Sequence, residues 1–281
     1  MTGLALTLPP ALADAGRRRA EGFPVASLLL PRRLRPAVAA FYRFARLADD
    51  IADAGALPPA QRIALLDALE RALEGGVARE PWEGPAAALH GVLRRHGLED
   101  RPARDLLAGF RRDAAGICCA EYADLEESCR LTAAPVGRFL LALHGAAREA
   151  VPASDALCIA LQIIDHLRDA GSDWRELGRL YVPAAYLAAE GLWLENMAGR
   201  HTDARLRRVF DRLLADVDRL LAEAAPLPAR IGPGGLARQA AVTLAFARRW
   251  RQALASRDPL AGPVRLGPLA IGSAVLRGLW H

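Results

Sequence analysis

The stretch that decides the fold of this chain reads PAVAAFYRFARLADDIAD and runs from Pro36 to Asp53. Its interior is rich in Ala, Leu and Arg, which are good helix formers, and proline is favoured at the first position of a helix. The glycine at position 55 then offers a stop signal. We therefore predict one helix over residues 36–53.

Two acidic side chains, Asp49 and Asp53, stand four residues apart near the end of this helix. That spacing places them on one face, with their Cβ atoms roughly 5–6 Å apart. Two carboxylates at that distance repel each other unless a positive charge lies in front of them. Mg²⁺ is the natural candidate, because it is commonly bound by one or two carboxylates together with water and substrate phosphate.

Apolar residues recur with helical periodicity along most of the remaining chain. Helices are predicted over residues 58–74, 85–96, 102–115, 123–131, 135–148, 152–173, 184–189, 203–224 and 236–256. Almost no segment alternates with period two, as a half-buried strand would. The sequence therefore predicts an all-α fold of roughly ten helices.

A second acidic pair lies at the end of the helix predicted over residues 152–173, which closes with IIDHLRDAGSDW. Asp169 and Asp173 are four residues apart, and Asp165 lies four residues before Asp169. Each acidic pair also has an arginine nearby, Arg46 in the first case and Arg168 in the second. An isolated pair is typical of a solvated helix face, but two pairs on two apolar helices favour a functional site.

If the two helices faced each other, their carboxylates would form a cluster that needs cations. Two or three Mg²⁺ ions bridging a diphosphate would neutralise it and act as Lewis acids on the leaving group. The two arginines would hold phosphate oxygens. His166, which follows Asp165 directly, is expected to point away from the acidic stripe.

The composition excludes several other classes of protein. The chain has 281 residues and a formal net charge of +5, its basic residues are all arginine, and only 6% of its residues are aromatic. The arginines are spread along the chain, so we expect no nucleic-acid partner. The chain has no uninterrupted apolar run of about 18 residues, so no membrane-spanning helix is predicted. Its N-terminus is a poor match to a signal peptide. We predict a cytoplasmic protein with an irregular segment at 1–22 and one domain at 23–281.

The C-terminal tail, residues 263–281, is moderately apolar and ends Leu-Trp-His. Two interpretations stay open for it. It forms a packed terminal helix, or it places Trp and Arg against lipid headgroups as a peripheral contact with the inner membrane.

Three stretches carry a family resemblance: FYRFARLADDIAD at 41–53, AEYADLEESCRLTAAPVGRFLLALHG at 120–145 and LQIIDHLRDAGSDWRELGRLYVP at 161–183. They resemble, in order and spacing, the motifs of the squalene and phytoene synthase family, whose members join prenyl diphosphates head to head. The resemblance spans about residues 23–192. The start of the chain, residues 21–53, is most similar to the hydroxysqualene synthase (HpnC-type) branch.

The resemblance implies a single-domain, isoprenoid-synthase-type helical bundle around a central cavity. It also implies an enzyme of squalene and hopanoid biosynthesis that ionises presqualene diphosphate, rearranges the cation and captures it with water. The products would be hydroxysqualene and diphosphate. Mg²⁺ would be required and NADPH would not.

Site residues are carried over from the family motifs by matching position. The implied Mg²⁺ ligands, which are also the implied catalytic residues, are Asp49, Asp53, Asp169 and Asp173. The residues implied to bind the substrate are Tyr42, Arg46, Gln162, Asp165, Arg168, Arg179 and Tyr181.

The chain departs from the family pattern at three positions. Asp165 stands where the family commonly has asparagine, Ser128 where it usually has tyrosine, and Glu121 where it tends to have arginine. Two alternatives therefore stay open. The chain could be another head-to-head synthase, making presqualene diphosphate, squalene or phytoene, or it could be a non-catalytic member of the family.

Overall fold

A computed structural model of the chain describes residues 29–117, 119–177, 181–262, 264–267 and 271. Within those residues every regular element is a helix and no β-strand occurs, which confirms the predicted all-α class. The chain divides into two compact units, Met1–Ile117 and Cys118–His281. The predicted irregular segment at 1–22 lies outside the described residues, so the boundary at residue 23 stays a prediction.

In the described part of the first unit, residues 29–117, four α-helices occur: α1 (Arg35–Ala52), α2 (Pro59–Gly75), α3 (Gly84–His96) and α4 (Arg101–Ala114). Short 3₁₀ turns, Arg32–Leu34 and Pro81–Glu83, precede α1 and α3. Each α-helix carries a proline in its first turn, where the missing N–H has no helical partner to lose. The observed bounds lie within one residue of the predicted ones.

Helix α1 packs against the other three helices of its unit. Its buried face carries Phe41, Phe44, Ala48 and Ile51, which recur at the three- and four-residue spacing of an amphipathic helix. The largest fully buried side chains described in this unit are Phe44, Ile51, Leu66, Leu69, Leu73, Leu89, Leu106 and Leu107. This core fixes the end of α1, which carries the first acidic pair.

Among the residues that the structure describes, the second unit contains seven α-helices. These are α5 (Tyr122–Thr132), α6 (Ala134–Leu143), α7 (Val151–Leu177), α8 (Ala184–Ala189), α9 (Ala204–Ala224), α10 (Leu227–Ile231) and α11 (Gly235–Ser256). Two 3₁₀ turns, Arg148–Ala150 and Leu194–Ala198, lie between them. Sequence periodicity missed α10, which has only five residues and so offers too few positions for a period to repeat.

Helix α7 is the central element of the second unit and packs against α5, α6, α9 and α11. A closely packed contact with α6 holds it. A Cβ added to Gly137 of α6 would lie 2.8 Å from the Cys158 Sγ of α7, so only glycine fits there without a shift. The Arg138 guanidinium of α6 also donates two hydrogen bonds to the buried Asp155 of α7, Nε to Oδ1 at 3.0 Å and Nη2 to Oδ2 at 2.7 Å.

One helical stretch among the described residues, Arg148–Gly171, is long and apolar enough to cross a membrane by length and composition. In its most apolar window 61% of the residues are buried inside the protein. That degree of burial is typical of a core helix, which passes the same test of length and hydropathy.

Candidate functional site

The first acidic region lies at the C-terminal end of α1. The backbone N–H of Asp53 donates to the carbonyl oxygen of Asp49 at 2.9 Å, so the two residues are one helical turn apart. Asp50 lies between them and is almost fully buried. All three carboxylates therefore stand at the end of the helix where the macrodipole is negative. The observed placement gives a strongly negative potential at this end.

Arg46 partly balances this charge. Its Nη1 lies 3.1 Å from Asp49 Oδ2, and its Nη2 lies 2.8 Å from Asp50 Oδ1. One arginine is thus shared between two acids. The contact with Asp50 was not expected from the sequence, where the four-residue spacing drew attention to Asp49 and Asp53 alone.

The balance remains incomplete at Asp49. Burial and the neighbouring Asp53 carboxylate raise the pKa of Asp49 to about 7, against the lowering effect of Arg46. Asp50 and Asp113 raise it further. Asp113 lies on α4, and no sequence spacing connects it to α1, so sequence reasoning missed it.

Tyr42 lies on α1 one turn before Arg46, and its side chain is 58% exposed. More than half of this residue is left uncovered by the described part of the chain. Its contact with substrate stays a prediction.

The second acidic region lies on the last three turns of α7. The helix continues through Gly171 to Leu177, so Asp169 and Asp173 stand one turn apart, as the predicted pairing requires. A Cβ at Gly171 would come within 3.1 Å of Arg175 Nη1 and 3.4 Å of Leu260. The missing side chain therefore allows close approach at this point, which explains a glycine within a helix.

Asp165, the first departure from the family pattern, forms an ion pair one turn along the helix. Its Oδ1 accepts a hydrogen bond from Arg168 Nη1 at 2.6 Å. The Arg168 guanidinium also lies over the ring of Trp250 from α11, with Cζ 4.2 Å from the ring centroid. Arg168 Nε is buried and has no hydrogen-bond partner. The added negative charge of Asp165 is thus matched by an arginine of the same motif.

His166 contacts two residues outside the acidic stripe. Its Nε2 lies 3.4 Å from Gln162 Nε2, and its ring stacks on Tyr181 with centroids 3.6 Å apart. It therefore joins two residues that the sequence assigned to substrate binding. Although part of its surface stays exposed, burial lowers the pKa of His166 to about 3. The ring is neutral at physiological pH.

The other two departures have structural settings of their own. Glu121 is the N-cap residue of α5, and the Asp124 carboxylate accepts hydrogen bonds from the backbone N–H groups of Ala120 and Glu121 at 3.0 and 2.9 Å. Acidic residues are favourable at a helix N-terminus, which accounts for an acid in place of arginine there. Ser128 is buried on α5 beside Cys129.

Two predicted features are not described by the structure. Arg179 and most of the tail at 263–281 lie outside the described residues. Among the described residues, no three Asp, Glu, His or Cys side chains are placed to hold a metal ion by themselves. A site of two carboxylates completed by substrate phosphate stays compatible with that finding, because Mg²⁺ is usually bound in this way.

Comparison with known proteins places the chain in a family. The family model described as squalene/phytoene synthase matches residues 17–269. The chain belongs to the squalene/phytoene synthase family. As a member of this family it is a diphosphate-utilising enzyme, which confirms the resemblance derived from the three motifs.

Two relatives of this synthase are similar over nearly their whole length. It is 37% identical to hydroxysqualene synthase of Rhodopseudomonas palustris over 94% of this chain and 89% of that protein. It is 36% identical to hydroxysqualene synthase of Sinorhizobium fredii over 90% of this chain and 86% of that protein. Among solved structures, squalene synthase HpnC from Alicyclobacillus acidocaldarius matches with a TM-score of 0.76 and 32% identity. That match covers 90% of this synthase and 94% of the other chain. These matches support the predicted isoprenoid-synthase fold.

Proposed function

We propose that this synthase is a hydroxysqualene synthase, which converts presqualene diphosphate and water into hydroxysqualene and diphosphate. The observation that carries the proposal is the similarity to two hydroxysqualene synthases over 86–89% of their length. Both acidic pairs and their arginines are present within that similarity.

The reaction needs groups that accept a leaving diphosphate. The bond between carbon and the diphosphate oxygen breaks with both electrons going to the diphosphate, and the carbocation then rearranges. The oxygen of a water molecule forms the new bond to carbon, and the proton that it loses passes to solvent or to the released diphosphate. No electrons are gained or lost, so NADPH is not required.

The donor set fits divalent metal ions. Three carboxylates stand at the negative end of α1, and the raised pKa of Asp49 indicates that Arg46 alone does not compensate them. Asp49 and Asp53 would hold Mg²⁺ in the first unit, and Asp169 and Asp173 would do so in the second. When bound, two or three Mg²⁺ ions would neutralise the diphosphate and make it a better leaving group.

The protein's own residues would bind and orient the substrate. The Arg168 side chain is partly exposed and carries more N–H donors than its ion pair with Asp165 uses, which suits a phosphate oxygen. Tyr42 is exposed beside Arg46, and Tyr181, Gln162 and the neutral His166 form a contiguous group. A neutral imidazole does not oppose a neighbouring carbocation, whereas a protonated one would.

A product analysis tests the proposal. We expect purified protein with Mg²⁺ and presqualene diphosphate, without NADPH, to yield hydroxysqualene, which mass spectrometry of the extracted lipids would detect. In water enriched in ¹⁸O the hydroxyl group should carry the heavy oxygen. Parallel reactions with farnesyl and geranylgeranyl diphosphate test the other head-to-head activities. Recovery of unreacted substrate alone, or of spontaneous hydrolysis products at the rate without enzyme, would refute the proposal.

The apolar substrate and product also suggest where the protein works. We propose that it acts in the cytoplasm and meets the inner membrane peripherally to exchange these hydrocarbons. Sedimentation with vesicles of anionic phospholipid, compared with neutral vesicles, measures that contact. Equal recovery in the supernatant with and without vesicles would contradict it.

A further inference from the structure

Arg168 is bounded on two sides by other parts of the second unit. On one side Arg168 Nη1 donates a hydrogen bond to Asp165 Oδ1 at 2.6 Å. On the other side Arg168 Cζ lies 4.2 Å from the centroid of the Trp250 ring. Trp250 belongs to α11, which packs against α7. The ion pair and the ring contact therefore hold the guanidinium together.

The protein leaves the hydrogen-bonding capacity of this guanidinium unfilled. Nε is buried and has no acceptor, which is unusual because buried donors are nearly always paired. The side chain as a whole keeps 26% of its surface exposed, so a ligand can contact part of it even though Nε itself is buried. The printed contacts of this guanidinium are one ion pair and one aromatic face, which leaves donors for an anion.

A tryptophan supports such a group better than an aliphatic residue would. The electron-rich face of the indole attracts the guanidinium cation and stacks parallel to its plane, without competing for its N–H donors. Asp165 by contrast is 51% exposed, and an ion pair with an exposed partner is weakened by solvent and salt. The aromatic contact is therefore the part of the arrangement that is less sensitive to solvent.

We propose that Trp250 is a positioning residue, which holds the Arg168 guanidinium in place to receive a phosphate oxygen of the substrate. This inference rests on the proposed function in one respect, that Arg168 binds the diphosphate. Trp250 acts through Arg168 and needs no contact with substrate itself.

A double-mutant cycle on the full-length protein tests this role. The probe is inorganic pyrophosphate with Mg²⁺, and the measured quantity is its dissociation constant by titration calorimetry. Four proteins form the cycle: wild type, Trp250→Leu, Arg168→Gln and the double variant. We expect Trp250→Leu to weaken binding about 10-fold in the wild-type background, as loss of a partly buried cation–π contact does. In the Arg168→Gln background it should have no further effect.

Two additional measurements separate positioning from folding. Trp250→Phe keeps an aromatic face and should restore most of the affinity lost in Trp250→Leu. Fluorinated tryptophan, which withdraws electron density from the ring with little change of shape, should weaken pyrophosphate binding in the wild type and not in Arg168→Gln. These two measurements decide the matter even if Trp250→Leu does not fold. Trp193→Leu is the matched control, because Trp193 is 77% exposed.

The outcomes distinguish this inference from the proposed function. Equal weakening by Trp250→Leu in both backgrounds, or no weakening in either, would overturn the positioning role even in an active hydroxysqualene synthase. Coupling between the two residues in a protein that makes no hydroxysqualene would support the positioning role and contradict only the proposed function.

Discussion

The two acidic regions look alike in the sequence and differ in the structure. Each has two aspartates four residues apart and an arginine no more than three residues before the first of them. At the end of α1 both terminal nitrogens of Arg46 are taken by acids, Asp49 and Asp50. On α7 the arginine gives one nitrogen to Asp165, stacks on Trp250 and keeps an unpaired Nε.

The comparison shows that the same motif can place its arginine in two different settings. At the end of α1 the arginine is paired with two acids and carboxylates still outnumber it at the negative end of the helix, which favours a cation. On α7 the arginine is paired with one acid and lies over an aromatic ring, among aspartates that we also propose as Mg²⁺ ligands.

The largest effect should come from removing an acid. We expect Asp49→Asn and Asp169→Asn each to lower turnover of presqualene diphosphate by at least about 100-fold, as loss of one electrostatic group at a reaction centre does. The helical content, followed by circular dichroism, should stay unchanged. Asp67→Asn is the control, since Asp67 pairs with Arg111 on the surface of the first unit. Normal activity in either site variant would remove it from the metal site.

The two arginines should differ in the ligand whose binding depends on them. Arg168→Gln should raise the inhibition constant of pyrophosphate by about 10- to 100-fold, the range for a charge-assisted hydrogen bond. Arg46→Gln should raise it less, because Arg46 is already engaged by two acids, and should mainly change the Mg²⁺ concentration that gives half-maximal activity. If Arg46→Gln weakened pyrophosphate binding as much as Arg168→Gln, the contrast between the two regions would be wrong.

The space around helix glycines also differs between the two units, and glycine-to-alanine substitutions measure that difference. Gly137→Ala would force a methyl group against Cys158 and Ser154 of α7, so we expect a loss of about 1–3 kcal/mol of stability. Gly91→Ala on α3 meets no atom within 4 Å and gains helix propensity, up to about 1 kcal/mol. Urea denaturation followed by circular dichroism gives both values. A neutral Gly137→Ala would mean that α6 and α7 adjust without cost.

The smallest effects should appear in the pH dependence of stability, with opposite signs. The pKa of Asp49 is raised from 3.8 to about 7, so its contribution is lost as pH rises through that interval. The pKa of His166 is lowered from 6.5 to about 3, so its contribution is lost as pH falls below 6.5, by about 1 kcal/mol per pH unit at most.

Thermal unfolding midpoints of two variants check these signs. Relative to wild type, Asp49→Asn should become more stabilising as pH rises between about 5 and 8. His166→Phe should become more stabilising as pH falls over the same range. Parallel curves for either variant and the wild type would rule out the corresponding pKa shift.

The sequence was sufficient for the fold because apolar periodicity and first-turn prolines mark helices locally. The bounds of α1 and of α8 show this, since each needs only its own residues. The sequence was also sufficient to predict the family, because three family motifs occur in it in the expected order and the family model matches the chain. The roles of the site residues stay predictions.

The contacts that distinguish the two regions could not be predicted, because they join residues far apart in sequence. Trp250 reaches Arg168 only through the packing of α11 on α7, and Asp113 affects Asp49 only through the packing of α4 on α1. The contact of His166 with Gln162 was not predicted, although their four-residue spacing was visible in the sequence.

The raised pKa of Asp49 has a consequence for any metal titration of this protein. Near neutral pH the carboxyl group is proton-bound in a large fraction of molecules. A divalent ion that takes Asp49 as ligand must displace that proton, so loading the site acidifies the solution. The heat of binding will then vary with the ionisation enthalpy of the buffer, and the slope of that dependence counts the protons released.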